Sequence, residues 1–250
     1  MAETLWQVVA AYGFALVGGL LSTSLQFEHK QLCALISFAA GTLFGVTLFA
    51  IFPESLAGAG SWRVLLAVAI GYALFFFVSK HVHHVCPACA ASHFDADATR
   101  HFSEIATGLI IALALHSTTD GLVLGIQQQT IAATKWSLFS ALCVHKLPEG
   151  LALGSLLIGA GLHRSSALAV VAAVEATTLL GGAIGYFFLT NISSFWLELI
   201  MAFVGGGFIY LAAHAVLGEM LKHGKQLVLT SFAAGVALIA ILNIGLRIFG

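Results

Sequence analysis

The chain has 250 residues, of which 60% are hydrophobic and only 8% are charged, and its formal net charge is -1. Because a soluble globular protein carries roughly 25% charged residues, this composition excludes a water-compatible surface and indicates an all-α integral membrane protein in a lipid bilayer. A chain without excess positive charge is also not expected to bind nucleic acid.

The apolar segments predict about eight membrane-spanning helices, since a bilayer core needs about 20 apolar residues per helix. The predicted spans are residues 5–25, 32–53, 62–80, 104–126, 136–160, 165–190, 196–218 and 227–249. No soluble domain interrupts them, so residues 1–250 are interpreted as one transmembrane domain. Spans 1–3 and 6–8 are candidate halves of a 3+2+3 inverted repeat around spans 4 and 5.

The distribution of Lys and Arg predicts that both termini lie outside the cell membrane. Basic residues favour the cytoplasmic loops of a multi-pass protein. With the N-terminus outside, the inner side holds Lys30, Lys80, Arg100, Arg164, Lys222 and Lys225, and the outer side holds Arg63, Lys135 and Arg247. The excess of six against three supports this orientation.

Two isolated polar residues lie toward the membrane faces. Glu54 belongs to "FPES" at the end of span 2, and His214 belongs to "YLAAHAVLGEM" in span 7. Ionisable residues in spans often line a substrate pathway. Each of these residues either lines an access or release route or is an ordinary interfacial group.

Residues 81–103 form the one substantial polar loop, which the orientation places in the cytoplasm. Clustered His and Cys residues are typical of metal-binding tracts, and here they are His81, His83, His84, Cys86, Cys89, His93 and His101. The loop is interpreted as an ion-receiving or sensing segment. A redox role for its CxxC pair is disfavoured, because no thioredoxin-like strand–helix–strand pattern surrounds it.

Spans 4 and 5 each contain a His and a carboxylate four residues apart, in "HSTTDG" and "HKLPEG". Residues i and i+4 share a helix face, so His116 projects with Asp120, and His145 with Glu149. A buried Asp without a partner costs on the order of 2.5–3.5 kcal/mol in a membrane, so we expect the two pairs to converge. Imidazole and carboxylate ligands suit divalent first-row metals.

Three neighbouring residues refine this predicted metal site. Pro148 frees the carbonyl of Val144 and is expected to bend span 5, as in the discontinuous helices of transporter sites. Lys146 is interpreted as a built-in positive charge where another ion would bind. It either pairs with a nearby carboxylate or loses its proton. Glu175 of span 6 is either the partner of Lys146, a metal ligand or a proton carrier.

The motifs of spans 4 and 5 resemble the signature of the ZIP (Zrt/Irt-like) divalent metal transporters, with the GufA-like prokaryotic branch as the nearest match. "EATTLLGG" in span 6 and "GGGFIYLAAH" in span 7 add to this resemblance. It implies uptake of zinc or a related ion toward the cytoplasm, extracellular termini and a homodimer. It also implies an elevator in which spans 1, 4, 5 and 6 slide against spans 2, 3, 7 and 8.

The resemblance places the primary metal ligands of the family at His116, Asp120, His145 and Glu149. Members with a binuclear site have Asn after the first His and Asp after the second, where this chain has Ser117 and Lys146. The departure implies that a complete second central site is missing, although Glu149 and Glu175 keep its carboxylates.

The sequence is compatible with three functions. The first is a divalent metal transporter, whose cargo is zinc or else iron, manganese or cadmium, with no resident cofactor. The second is an intramembrane zinc hydrolase that activates water at the same site, and the third is a metal sensor without flux. Eight spans, the proline in span 5 and the His-rich loop favour transport.

Overall fold

The computed structural model describes residues 2–24, 29–81, 102–127, 130–159, 161–189, 191–222 and 225–249. Helices account for nearly all of these residues, and no strand occurs among them. The α-helices are α1 (Ala2–Ser24), α2 (His29–Val46), α3 (Phe52–Ala59), α4 (Ser61–His81), α5 (Phe102–Ile126), α6 (Ala132–Gly159), α7 (Arg164–Glu175), α8 (Thr177–Phe188), α9 (Ser194–Lys222) and α10 (Lys225–Phe249).

These helices make eight rods. A π-helical turn, Thr47–Ile51, joins α2 to α3, and α7 continues into α8 after Ala176. In the described part of the chain, seven rods are long and apolar enough to cross a membrane, and α5, with 25 residues, is the remaining long helix. The prediction of an all-α membrane protein with about eight spans is confirmed.

Most of the predicted metal-binding loop lies outside the described residues. This applies to His83, His84, Cys86, Cys89, His93 and His101. His81 is the last residue of α4. The ion-receiving or sensing role of the loop stays a prediction.

The rods pack mainly in four pairs: α1 with α6, α5 with α8, α2 with α10, and α4 with α9. A two-fold operation that exchanges spans 1, 2 and 3 with 6, 7 and 8, and span 4 with 5, converts the first pair into the second. It also converts the third pair into the fourth. The pairing is therefore the one that a 3+2+3 inverted repeat predicts.

Reciprocal glycines bring the two helices of every pair into backbone contact. At each of these glycines, an added Cβ atom would overlap a backbone carbonyl oxygen of the partner helix. The glycines are Gly18 and Gly150, Gly121 and Gly181, Gly41 and Gly235, and Gly71 and Gly206. Small residues at such positions let membrane helices approach closely, so the helix pairs that an inverted repeat would relate share the same kind of glycine contact.

The pairs form two larger groups, which we name the site bundle (α1 and α5–α8) and the flanking bundle (α2–α4, α9 and α10). They meet chiefly where α6 packs on α2 and α10. Across this boundary, the Asn243 amide donates a hydrogen bond of 3.1 Å to Ser137 Oγ. The division matches the two groups of spans that the family resemblance implies.

Candidate metal centre

The two predicted pairs of side chains meet inside the site bundle. His116 of α5 and His145 of α6 bring their Nε2 atoms to 2.9 Å. His116 Nε2 lies 3.5 Å from Asp120 Oδ2, and His145 Nε2 lies 3.5 Å from Glu149 Oε2. One ligand atom from each of the four residues falls within 4.8 Å of all the others.

These separations suit a single first-row metal ion. In a tetrahedral zinc site with bonds of about 2.1 Å, the ligand atoms lie about 3.4 Å apart. In the structure, the ligand atoms lie between 2.9 Å and at most 4.8 Å apart, with 4.0 Å between His116 Nε2 and Glu149 Oε2. A small adjustment of these side chains would therefore accommodate the ion.

Burial differs within the group of four. Asp120 is fully buried, and His116 and Glu149 are less than 5% exposed. The side chain of His145 is 16% exposed, the largest value among the four. His145 is therefore the member of the group that is most accessible from outside.

Lys146 is fully buried beside this group, and its ammonium contacts three carboxylates. Its Nζ atom lies 2.8 Å from Glu149 Oε2, 3.0 Å from Asp120 Oδ2 and 3.0 Å from Glu175 Oε2. It also donates a hydrogen bond of 2.7 Å to Ser117 Oγ. The sequence left open whether Lys146 pairs with a carboxylate or loses its proton. The geometry favours a charged lysine that pairs with all three carboxylates.

Glu175 contacts Lys146 and does not belong to the group of four. Its Oε2 atom accepts from Lys146 and lies 3.2 Å from Ser117 Oγ, which is also 3.2 Å from Glu149 Oε1. The position of Glu175 favours its interpretation as the partner of Lys146. A role as metal ligand or proton carrier stays a prediction.

Acidic groups outnumber basic groups in this buried region. If Asp120, Glu149 and Glu175 are all ionised, their three negative charges face one positive charge on Lys146, and the sum is -2 with both imidazoles neutral. Uncompensated charge in a low-dielectric interior is costly. One divalent cation would bring the total to zero.

Glycines next to the carboxylates fix the ligand helices in place. Gly121 follows Asp120 and lies against the Thr178 carbonyl of α8, while Gly150 follows Glu149 and lies against the Ala15 carbonyl of α1. The close approach that these glycines allow is therefore to α8 and α1, rather than between α5 and α6.

Span 5 is not interrupted, since α6 is one helix through Pro148, and its expected bend at the proline stays a prediction. The interruptions lie instead at the π-helical turn of span 2 and after Glu175 in span 6. At the second of these, Thr177 Oγ1 donates to the carbonyls of Val174 and Ala114, at 2.7 and 2.9 Å. The irregular backbone thus adjoins Glu175 and is tied to α5.

Two phenylalanines of the flanking bundle close one side of the centre. The rings of Phe75 in α4 and Phe208 in α9 meet the His116 ring edge to face, with centroids at 6.3 and 6.5 Å. Sequence reasoning missed both, because nothing in their spacing separates them from the other 17 of the 19 phenylalanines.

The two predicted pathway residues lie away from the group of four. Glu54 Oε1 accepts a hydrogen bond of 3.0 Å from the Ile131 N–H, just before α6. His214 stacks on Tyr210 with ring centroids 5.5 Å apart, and both line a cavity of about 350 Å³ between α4 and α9. Their pathway roles stay predictions.

Comparison with known proteins identifies relatives of the same kind. The chain is 25% identical to "Zinc transporter zipt-7.1" of Caenorhabditis briggsae, over 87% of this chain and 70% of that protein. It is 24% identical to "Zinc transporter YKE4" of Saccharomyces cerevisiae, over 76% of this chain and 61% of that protein.

The sequence model of the family described as "ZIP Zinc transporter" matches residues 90–243, which is more than half of the chain. The match includes both helices that carry the His and carboxylate pairs. Assignment to the GufA-like branch stays a prediction. The chain belongs to the ZIP zinc transporter family.

Proposed function

We propose that this protein moves divalent metal ions, zinc foremost, across the cell membrane toward the cytoplasm, and that the ion binds His116, Asp120, His145 and Glu149. The observation that carries the proposal is the convergence of four ligand atoms within 4.8 Å, in a buried region with three carboxyl groups and one lysine. Membership of a transporter family makes the metal a cargo and disfavours the hydrolase alternative.

The chemistry of the donor set supports release as well as capture. Two imidazoles and two carboxylates bind zinc, iron, manganese and cadmium without the thiolates that hold soft metals most tightly. The cysteines of the described residues, Cys33 and Cys143, are buried outside the group of four. A transport site must be weak enough to let its ion leave.

The placement of the ligands supports an elevator. All four ligands, together with Lys146 and Glu175, belong to the site bundle, while Phe75 and Phe208 belong to the flanking bundle. A rigid displacement of the site bundle would therefore carry the ion with its coordination unchanged, past a fixed aromatic wall. The flanking bundle would remain still in the lipid and would form the homodimer contact.

The proposed direction of metal transport and the proposed membrane topology are both argued from electrostatics. The excess of Lys and Arg on one side favours extracellular termini and a cytoplasmic loop after span 3. A membrane potential that is negative inside drives cations toward the cytoplasm.

The proposal is tested by zinc uptake into proteoliposomes that contain the purified protein. His145→Ala and Glu149→Ala should each reduce uptake to the background of empty liposomes, because each removes one of four ligands. His163→Ala is the matched control, since His163 is exposed and its ring contacts Ser165 rather than the centre. A sensor would bind zinc without any uptake, and unchanged uptake by both ligand variants would refute the site.

A further inference from the structure

A second group of acidic side chains lies where α3 meets α9, at the end of the bundle where α1 begins. Glu54 and Ser55 come from α3, and Glu198 comes from the second turn of α9. A Cβ atom added to Gly58 would lie 2.6 Å from Glu198 Cγ, so the Glu198 side chain lies directly over Gly58. The glutamate is thus built into the contact between the two helices.

Ser55 and Glu198 are buried and Glu54 is half-buried, and each of the three has a buried oxygen without a complete hydrogen bond. Glu198 is only 8% exposed and Ser55 is fully buried, with its hydroxyl next to the Glu198 carboxylate. Three of their buried oxygens complete no hydrogen bond of good geometry, namely Glu54 Oε2, Ser55 Oγ and Glu198 Oε2. A buried polar atom without a partner costs about 1–3 kcal/mol, so the group is incomplete as it stands.

No basic side chain of the described residues balances the two carboxylates. Glu54 and Glu198 repel each other, while the ion pairs of Lys135 and Lys146 are made with other acids. Arg63 lies at the same end, but its guanidinium packs on Trp62 and Phe195 and donates to the Ala59 carbonyl.

Two carboxylates and a hydroxyl make an all-oxygen donor set with two negative charges. Oxygen donors bind magnesium, calcium and manganese and also accept zinc. From this geometry we infer that Glu54, Ser55 and Glu198 form a second divalent-cation site, separate from the central group of four. The site goes beyond the proposed transport function, because cation binding here requires no movement of the site bundle.

Glu54 connects this second site to the boundary between the bundles. Its Oε1 atom accepts from the Ile131 N–H, at the start of the helix that carries His145 and Glu149. Ile131 precedes His145 by 14 residues, or about 21 Å of helix. An ion held by Glu54 and Glu198 is therefore held at the end of α6, and the site raises the local cation concentration there.

The test locates and counts zinc on the full-length purified protein. Crystals soaked in millimolar zinc should show an anomalous peak between Glu54 and Glu198, in addition to the central peak. Equilibrium dialysis should find one zinc fewer on Glu198→Gln than on the wild type. Glu3→Gln is the matched control, since Glu3 is a half-exposed carboxylate at the same end that already pairs with Lys135, and it should bind as many ions as the wild type.

Uptake provides a second readout. Glu198→Gln should raise the zinc concentration for half-maximal uptake several-fold and leave the maximal rate unchanged. Equal zinc counts on the wild type and Glu198→Gln, with no peak between the glutamates, would show that the carboxylates share a proton and would overturn the inference. If the Glu198→Gln variant does not fold, the presence or absence of an anomalous peak between Glu54 and Glu198 in the wild-type crystals decides the question. His145→Ala should lose the central peak and keep this one, which separates the two proposals.

Discussion

Lys146 supplies one positive charge to three acids, so it occupies the position that a second cation would take. Two unit charges about 4 Å apart interact by about 4 kcal/mol at an effective dielectric of 20, and a dication would meet about twice that repulsion from the ammonium. The wild-type centre is therefore expected to hold one ion.

Changing Lys146→Asp would lower the local charge by two units and should admit a second ion within a few ångströms of the first. Anomalous diffraction on zinc-loaded crystals of both proteins measures this. Lys135→Asp serves as the control, because Lys135 belongs to the same helix but pairs with Glu3 at its end. Two strong central peaks in the wild type would contradict the prediction.

Candidate site residues could be predicted where a polar side chain interrupts an apolar span, because burying it in the membrane is energetically costly. His116, Asp120, His145 and Glu149 are polar residues at helical spacing within apolar spans, and that is why their convergence could be predicted. Glu198 was missed, although a charged residue within span 7 calls for the same reasoning as Glu175. The ion-pair partners of Lys146 could not be predicted. Residue spacing indicates which residues share a helix face, but not which helices pack against that face.

At the scale of the helices, the reciprocal glycines determine how closely the ligand helices pack. Gly121→Ala would place a methyl group on the Thr178 carbonyl and push α5, which carries His116 and Asp120, away from α8. Overpacking of this kind costs about 1–3 kcal/mol or more, which outweighs the gain of about 1 kcal/mol in helix propensity from Gly to Ala. We expect lower thermal stability and weaker zinc binding.

Gly13→Ala is the matched variant, because a Cβ atom at Gly13 of α1 would meet nothing within 4 Å. This variant should keep wild-type zinc binding and be equally or slightly more stable in a thermal shift assay. Equal stability of Gly121→Ala and Gly13→Ala would show that α5 and α8 can separate at no cost.

The number of the rods followed from apolar length alone, and each predicted span coincides with an observed rod to within six residues at either end. The interruptions were not predictable in this way. Proline marks a possible bend, yet α6 stays helical through Pro148, since a membrane helix tolerates proline when its surroundings satisfy the freed carbonyl. At the interruption after Glu175, Thr177 donates a hydrogen bond to the Ala114 carbonyl of another helix, and no local sequence pattern predicts that contact.

At the scale of the whole molecule, the proposed elevator requires the two bundles to slide past each other. Ser137 of α6 and Asn243 of α10 touch across the boundary, with 3.1 Å between their side-chain atoms. Replacing both by cysteine, with the four native cysteines changed to serine, should allow a disulfide that locks the bundles together. Oxidation should stop zinc uptake, reduction should restore it, and zinc binding should persist throughout.

The two single-cysteine variants control for oxidation itself and should transport under both conditions. Full uptake by the completely cross-linked protein would exclude sliding along this boundary. The ion would then have to move through a fixed bundle.

In the proposed elevator, the unequal number of acidic and basic groups in the centre would decide which half of the transport cycle responds to voltage. With all three carboxylates ionised and one dication bound, the buried groups would sum to zero, so the loaded site bundle would cross the membrane field without electrical work. After release, the same bundle would carry -2 back toward the outside, and an inside-negative potential would favour that movement by up to about 4.6 kcal/mol per 100 mV. Steady-state zinc uptake should therefore accelerate in proteoliposomes clamped inside-negative with a potassium gradient and valinomycin, whereas a single inward turnover of preloaded protein should not. The membrane potential would thus act on the return of the empty site bundle and not on the inward movement of the ion-loaded bundle.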